Sequence, residues 1–305
     1  MKNKIYTTFS EGFHPGQFIR LNDNDSLNLY IGKDDNGCFS FEFLGHFTPT
    51  RLVGSEVISV SQTKHKQLIS IRFSLENQDL LEYFCTFCED LVNSTLDITD
   101  DNIAYKLLSQ RYLSWKRLFR PNQGRLNENE VMGLIGELLY LKDNMFVQHG
   151  LDSAIEAWTG PEYTHKDFSL DNEWHEVKTI STGKGAIKIA SLEQLDSDID
   201  GTLAVYELEK MSSSFNGIKL NEIVNSILQL LNIHQREIFL NKLSGFGYDF
   251  SPEYNNYVFS LSSFEEYVVN DSFPRLKREY IPISISCVRY DLNKAELEPF
   301  KMSTE

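Results

Sequence analysis

The sequence predicts an α+β protein whose second half is α/β. A β-rich N-terminal domain spans residues 1–100 and ends in a helix, and a domain over 101–305 has a mixed central sheet flanked by helices. The first 74 residues contain several short runs with strand-like sequence, and helical and strand patterns alternate after residue 102. The composition, 41% hydrophobic and 12% aromatic, is typical of a globular chain, and 305 residues are enough for two ordinary domains.

The N-terminal strands are predicted from runs of β-branched and aromatic residues that polar or glycine-bearing turns separate. These runs lie near 27–31, 38–43, 56–60 and 68–73. The segment 34–37, Asp-Asp-Asn-Gly, predicts a hairpin turn, because Asn-Gly tolerates the backbone conformation that tight hairpins require. A helix is expected over about 76–93, and the acidic run at 97–101 indicates a domain boundary or a helix start.

After residue 102 the pattern predicts alternating helices and strands. Helices are expected near 102–120, 128–143, 151–158, 219–232 and 234–243. Strands are expected near 168–170, 174–180, 185–190, 202–208, 256–262 and 281–291.

A glutamate lies at the edge of the apolar face of the helix over 128–143. Asn127 and Glu130 have the spacing of a capping box, which predicts where the helix begins. At 100° per residue the apolar side chains fall on one face, and Glu137 lies at its rim, flanked by Gly133 and Gly136. Alone, such a glutamate is usually an ordinary solvated residue, but it can also lean into a neighbouring site.

A predicted hairpin carries two more acids and a lysine. The turn at 171–172 brings Asp167 beside Glu176, and strand alternation directs Glu176 and Lys178 to the same side. Carboxylate oxygens are ligands that Mg²⁺ prefers, and a bound Mg²⁺ lowers the pKa of water and stabilises charge on a phosphate. This trio therefore indicates phosphodiester cleavage, although each residue alone is more often a surface group.

Other polar motifs near the hairpin are weaker indications of a functional site. Strand alternation points His175 away from Glu176, whereas His165 could share a side with Asp167 and support it. The Gly-Lys-Gly segment around Lys184 is too short for a phosphate loop, but Lys184 could contact a nucleic-acid phosphate.

The spacing of Cys85 and Cys88 is found in zinc and redox sites. No second ligand pair with metal spacing follows, so two core thiols on a helix are the expected structure.

The net charge of −15 opposes DNA binding at long range. One local exception is a helical stripe of basic residues, formed by Lys106, Lys116, Arg117 and Arg120. It is either a path for nucleic acid or a solvated basic face without a ligand.

No apolar run approaches a membrane span and no signal core follows the N-terminus, so a cytoplasmic protein without a membrane partner is expected.

The helix with Glu137, followed by Asp167 and the Glu176-Val177-Lys178 string, resembles the PD-(D/E)XK nuclease superfamily, in particular the bacterial DUF4420 branch. The resemblance covers most of the chain, most sharply 125–210, and includes the strings at 133–139, 158–161, 165–168, 176–179, 191–195 and 273–275. It departs from the superfamily motif at Lys166, which stands where a proline precedes the metal-binding Asp, and Pro161 is too distant to replace that proline.

The resemblance implies a restriction-endonuclease-like core and a role for each residue of the motif. Glu137, Asp167 and Glu176 would bind Mg²⁺, for which Mn²⁺ would substitute, with the Val177 carbonyl as an extra ligand. Lys178 would position the attacking water, and Gln194 would orient water or phosphate.

The function implied is a DNA endonuclease of a restriction-type or phage-defence system. Its partners would be DNA and ATPase, helicase or methyltransferase subunits encoded nearby, and a homodimer is a further expectation. Two alternatives stay open at this stage. The chain is either a catalytically silent acidic adaptor in such a system, or a nuclease that acts on RNA.

Overall fold

The structure is a computed structural model that describes residues 4–55, 57–118, 126–160, 166–282, 284–285 and 287–302, with the side chains of 117 and 118 outside the description. Its helices are α1 (Lys4–Ser10), α2 (Leu81–Ser94), α3 (Asp101–Leu118), α4 (Glu128–Tyr140), α5 (Phe146–Ala157), α6 (Leu220–Leu230) and α7 (Ile233–Gly245). Its strands are β1 (Phe18–Arg20), β2 (Asn28–Lys33), β3 (Phe39–Gly45), β4 (Ile58–His65), β5 (Leu68–Leu75), β6 (Phe168–Ser169), β7 (Trp174–Ser181), β8 (Ala186–Ile189), β9 (Gly201–Met211), β10 (Val258–Val269) and β11 (Tyr290–Asn293). This is the α+β class that the sequence predicts.

The chain divides into two units that are not contiguous in sequence. Unit 1 comprises residues 1–125 and 232–252, and unit 2 comprises 126–231 and 253–305. The sequence-based boundary at residue 100 differs from this division, because α3 and α7 both pack within unit 1. A buried carboxylate on α2, Asp90, accounts for this packing, since it lies 2.8 Å from Nε of Arg111 on α3 and 3.4 Å from Nη1 of Arg236 on α7.

Unit 1 is built on an antiparallel sheet of five strands in the order β1-β2-β3-β5-β4. The predicted Asn-Gly turn joins β2 to β3, and Gly37 has the positive φ of 82° that such a turn requires. Helices α2 and α3 bring aromatic rings onto this sheet, with ring centroids of Phe73 and Phe87 5.7 Å apart and those of Phe87 and Trp115 5.8 Å apart. Cys85 and Cys88 are fully buried in this core, which confirms the prediction that they are core thiols.

Unit 2 contains a mixed sheet in the order β10-β9-β7-β6, in which β7 pairs parallel to β9 and the other pairs are antiparallel. The predicted third strand exists as β8, but it leaves this sheet and pairs with β11 in a separate ribbon. The strand expected over 281–291 is wrong for most of its length, since β11 covers only 290–293. Pro282, which lacks a backbone donor, is unfavourable for a strand ladder.

Helix α4 begins with the predicted capping box. The Asn127 side chain accepts a hydrogen bond from the N–H of Glu130, and the Glu130 carboxylate accepts one from the N–H of Asn127. Gly136 lies against β7, because a Cβ built there would lie only 2.3 Å from Cγ2 of Thr179. This close approach brings the next residue, Glu137, to the strand that carries Glu176 and Lys178.

A π-helical turn at Leu141–Met145 separates α4 from α5. The sequence did not predict this turn. Within the described residues, the structure holds no helix with both the length and the apolar character needed to cross a membrane.

Candidate active site

Strand β7 directs Glu176 and Lys178 to the same face, where they form an ion pair. The Lys178 ammonium donates a hydrogen bond to Oε1 of Glu176 at 2.5 Å. Glu176 is completely buried, and its second oxygen, Oε2, has no hydrogen-bond partner among the described residues. A buried carboxylate oxygen without a donor is costly unless a cation or a proton compensates it.

Asp167, just before β6, is held beside the same strand by main-chain groups. Its Oδ2 accepts a hydrogen bond from the N–H of Val177 at 2.8 Å, and its own carbonyl accepts from the N–H groups of Thr159 and Gly160 at 2.9 and 3.2 Å. The N–H and C=O of one strand residue point to the same edge of a sheet, so the Val177 carbonyl faces the edge on which Asp167 lies.

Glu137 reaches the cluster from α4 with only 8% of its surface exposed. The indole N–H of Trp158 donates to its Oε2 at 2.8 Å. Trp158 also forms an isolated antiparallel bridge with Phe168, the first residue of β6. Trp158 therefore ties the helical glutamate to the hairpin, a role that its place in the 158–161 string did not reveal.

Burial raises the pKa of all three acids, and repulsion by Asp167 adds to the shift in Glu137 and Glu176. Burial first, and then the charge of Asp167, raise the pKa of Glu176 to about 8, although Lys178 opposes this shift. Burial and Asp167 also raise the pKa of Glu137 well above its usual value, against the hydrogen bond from Trp158. Burial raises the pKa of Asp167, while Lys178 and the Val177 N–H hold it down.

The pKa of Lys178 is also raised, which for a lysine favours the charged form. Burial disfavours its charge, but the carboxylates of Glu176 and Asp167 outweigh that effect and raise its pKa. The four groups therefore act on one another, and the lysine stays charged within the acid cluster.

The structure thus brings together four side chains, those of Glu137, Asp167, Glu176 and Lys178. The three acids are less close than ligands of one ion would be. Among the described residues, they do not provide one oxygen each with all three oxygens within 4.8 Å of one another. Repulsion between carboxylates and the ion pair to Lys178 are physical reasons for this spacing. The donor set of carboxylate oxygens, with Oε2 of Glu176 lacking a donor, fits a hard cation such as Mg²⁺.

Lys166, at the position of the expected proline, supports the turn after β8. Its ammonium donates to the carbonyls of Glu193, Gln194 and Asp196 at 2.8, 2.8 and 3.1 Å and lies 3.7 Å from the ring centroid of Trp174. Burial lowers the pKa of Lys166 to about 8, against the charge of Glu176. The lysine therefore anchors a neighbouring turn, a role that a proline could not perform.

Gln194 belongs to that turn. Its Oε1 accepts a hydrogen bond from the N–H of Ala190 at 2.7 Å, so its amide oxygen is used locally. Arg275, from the predicted 273–275 string, donates to the Leu195 carbonyl at 2.7 Å and stabilises the same turn. A contact between Gln194 and water or phosphate remains a prediction.

A cavity of about 510 Å³ opens beside the acid cluster on the Lys178 side. Three lysines, Lys178, Lys184 and Lys188, line it, together with one acidic residue, Asp291. Lys184 and Lys188 are exposed, and neither forms an ion pair with a carboxylate within the described part of the chain. The sequence predicted Lys184 as a phosphate contact but not Lys188, which lies on β8 opposite Asp291 of β11.

The predicted basic stripe is described only in part. Lys106 is exposed in unit 1, whereas the ammonium of Lys116 donates to the Val53 carbonyl at 2.6 Å and is half-buried. The side chain of Arg117 and the whole of Arg120 lie outside the described residues. Nucleic-acid binding by this stripe remains a prediction.

The structure describes only one of the two histidines of the motif region, His175. His165 and Pro161 lie outside the described residues. His175 is adjacent to Glu176 on β7 but takes the opposite face, and its Nδ1 lies 2.9 Å from the hydroxyl of Tyr140. Burial lowers the pKa of His175 to about 4, so its imidazole is neutral near pH 7.

The α+β fold and the helix-strand cluster of three acids and a lysine define a nuclease-like class of protein. The chain belongs to the DUF4420 family, described as "Putative PD-(D/E)XK family member", whose model matches residues 4–294. The comparisons found no matching curated protein and no matching solved structure.

Proposed function

We propose that this protein is a Mg²⁺-dependent endonuclease that hydrolyses phosphodiester bonds in DNA. The observation that carries the proposal is the cluster of Glu137, Asp167, Glu176 and Lys178 in a chain of PD-(D/E)XK type. Three carboxylates supply oxygen ligands, and the lysine supplies a positioned cation beside them.

Glu137, Asp167 and Glu176 would hold the metal through side-chain oxygens, with the Val177 carbonyl as an extra ligand. When bound, Mg²⁺ lowers the pKa of a water and neutralises charge that develops on the phosphate. Lys178 orients the attacking water by hydrogen bonding, and its pairing with Glu176 fixes where its ammonium lies. Trp158 keeps Glu137 turned toward the strand.

The lysine-lined cavity supports a polyanionic substrate. Lys184 and Lys188 are exposed and line the same cavity as Lys178. Phosphate contacts of this kind position a nucleic acid without reading its sequence. A DNA backbone in this cavity would place a phosphate next to Lys178.

The net charge of −15 argues that the chain binds DNA weakly when it is alone. We therefore propose that it serves as the cleavage subunit of a restriction-type or phage-defence system. An ATPase, helicase or methyltransferase subunit would supply affinity for DNA and choose the site.

The test is nicking of supercoiled plasmid by the purified full-length chain with Mg²⁺, Mn²⁺ or a chelator, alone and with a candidate ATPase partner subunit. Lys178→Met and Glu176→Gln should each lower the cleavage rate by at least about 10²-fold, as expected for a group that positions or activates water. Lys210→Met is the matched control, because Lys210 also pairs with a carboxylate, that of Glu128, but lies on the surface.

Circular dichroism and thermal melting would establish that each variant is folded, which matters because Lys178 compensates a buried acid. Cleavage by Lys178→Met at the rate of the Lys210→Met control would refute the assigned mechanism.

The acidic-adaptor alternative draws on two observations: the net charge of −15, and the fact that the three acids do not bring one oxygen each to within 4.8 Å of one another. It predicts that the wild-type chain binds a partner subunit tightly and cuts nothing, with or without that partner.

Parallel assays on single- and double-stranded DNA and RNA would separate a deoxyribonuclease from a ribonuclease.

A further inference from the structure

A second group of potential metal ligands lies in unit 2, separate from the acid cluster. The ligand atoms of His149, Glu173 and His175 all lie within 4.8 Å of one another. The two Glu173 oxygens are divided between the histidines, with Oε1 3.2 Å from Nε2 of His149 and Oε2 3.9 Å from Nε2 of His175. Two imidazole nitrogens and a carboxylate thus converge on one point.

Both histidine Nε2 atoms are available as ligands. Each is buried, and neither has a hydrogen-bond partner among the described residues, although a Glu173 oxygen is close to both. His175 is only 5% exposed, so its Nε2 is aimed into the group rather than into bulk water. A buried imidazole nitrogen without a partner is costly, and a metal ion would satisfy it.

A relay of hydrogen bonds orients His175 for this role. The hydroxyl of Tyr140 donates to Oε1 of Glu266 at 2.9 Å, so its proton is already used. The contact of 2.9 Å between that hydroxyl and Nδ1 of His175 then requires Nδ1 to carry the imidazole proton. Nε2 is left with its lone pair directed at Glu173, which is how a metal-binding histidine is held by outer hydrogen bonds.

Three different segments supply the ligands. His149 precedes a break in α5 at Gly150, where φ is 76° and ψ is 171°. Glu173 is in the turn before β7, with 44% of its side chain exposed, and His175 is on β7 itself. The group is therefore closed by protein on the His175 side and open to solvent at Glu173, where water could complete a coordination shell.

We propose that His149, Glu173 and His175 form a binding site for one transition-metal ion of the Zn²⁺ type. Two imidazole nitrogens and a carboxylate, with one position left open, are a ligand set that Zn²⁺ accepts, whereas Mg²⁺ prefers oxygen ligands alone. The site differs from the acid cluster in ligand type and lies across the sheet from it, since His175 and Glu176 point to opposite faces of β7.

An ion at this site would join α5 to the hairpin of β6 and β7. That hairpin carries Asp167 and Glu176, and α5 leads directly into Trp158, which binds Glu137. Metal binding would therefore stabilise the segments that hold the acid cluster without taking part in its chemistry. Metal binding here is separate from nuclease activity and does not depend on it.

The test measures metal binding by the full-length chain after treatment with a chelator. Isothermal titration with ZnCl₂ in excess MgCl₂ keeps the oxygen-ligand cluster supplied with Mg²⁺, and the visible absorption of added Co²⁺ reports imidazole coordination. The wild-type chain should bind one ion, and Tyr140→Phe should weaken binding roughly 10- to 100-fold because it removes an outer hydrogen bond.

His149→Ala and Glu173→Gln remove ligands that are partly exposed, so both variants should fold and lose at least as much affinity as Tyr140→Phe. His234→Ala is the matched control, since His234 is exposed and belongs to unit 1. Wild-type affinity in His149→Ala and Glu173→Gln would overturn the proposal. So would a lack of Zn²⁺ binding by the wild-type chain, or a loss of Zn²⁺ binding in Asp167→Asn alone.

Discussion

Replacing Gly136 by alanine should separate α4 from the strand that carries the candidate active site. The added Cβ would lie 2.3 Å from Cγ2 of Thr179 and 3.5 Å from Cγ1 of Val177. The first distance is far below van der Waals contact, and both atoms belong to β7, so either the helix or the side chain of Thr179 must move. Glu137 follows Gly136 directly and would move with the helix.

Two effects of opposite sign determine the magnitude. Alanine is favoured over glycine inside a helix by up to about 1 kcal/mol. Overpacking a close contact costs about 1–3 kcal/mol. Gly133, on the same helix, provides the reference, because a Cβ there meets nothing within 4 Å. Gly133→Ala should therefore stabilise the protein by about 0.5–1 kcal/mol through the helix preference alone.

The difference between the two variants isolates the clash, because both gain the same helix preference. Urea denaturation followed by circular dichroism should give a free energy of unfolding that is about 1–3 kcal/mol lower for Gly136→Ala than for Gly133→Ala. Thr179→Ser removes the clashing methyl group. The double variant with Gly136→Ala should recover about 1 kcal/mol or more as a coupling energy.

Two results would refute this reasoning. A difference below about 0.5 kcal/mol between the two alanine variants would mean that α4 does not approach β7 this closely. Additive effects of Gly136→Ala and Thr179→Ser would mean that Thr179 is not the group that the new methyl meets.

Two further predictions concern the acids of unit 2. Trp158→Phe leaves Oε2 of the buried Glu137 without its hydrogen-bond donor. The free energy of unfolding, measured in a chelating buffer, should therefore fall by about 1–3 kcal/mol. A change below about 0.5 kcal/mol would contradict the hydrogen bond. Hydrogen bonds from Lys294 first, and then from Lys301, lower the pKa of Glu265 from 4.5 to about 2. A carboxyl whose pKa is lowered on folding stabilises the protein above its unfolded pKa, and that stability is lost as the pH falls from about 4.5 to about 2. Because the network is at the surface, we expect about 1 kcal/mol, measured as a smaller loss of stability on acidification in Glu265→Gln than in the wild-type chain; equal losses would show that Glu265 does not contribute.

Much of the local structure was predictable, because it depends on residues that are close in sequence. The capping box at Asn127, the apolar face of α4 and the alternation along β7 rest on spacings of two to four residues, and the structure has all three. The same alternation correctly placed His175 and Glu176 on opposite faces. Neither α1 nor the π-helical turn has a comparably strong local pattern, and neither was predicted.

The long-range pairings were not predictable, because several partners compete for each edge of a strand. The run that forms β8 reads as a third strand of the main sheet, yet it pairs with β11 from the end of the chain. Helix α7 joins unit 1 through Arg236 and the buried carboxylate of Asp90, and nothing local to either residue indicates that contact.

By itself the sequence determined the class of fold, most of the helices and strands, and the family, and it predicted three acids and a lysine as site residues. Tertiary structure alone decided that Trp158 holds Glu137, that Lys166 anchors a turn, and that His149 meets Glu173 and His175. The physical reason lies in the range of the forces. Periodicity and capping act within one or two helical turns, whereas burial and convergence of charge exist only after distant segments have packed.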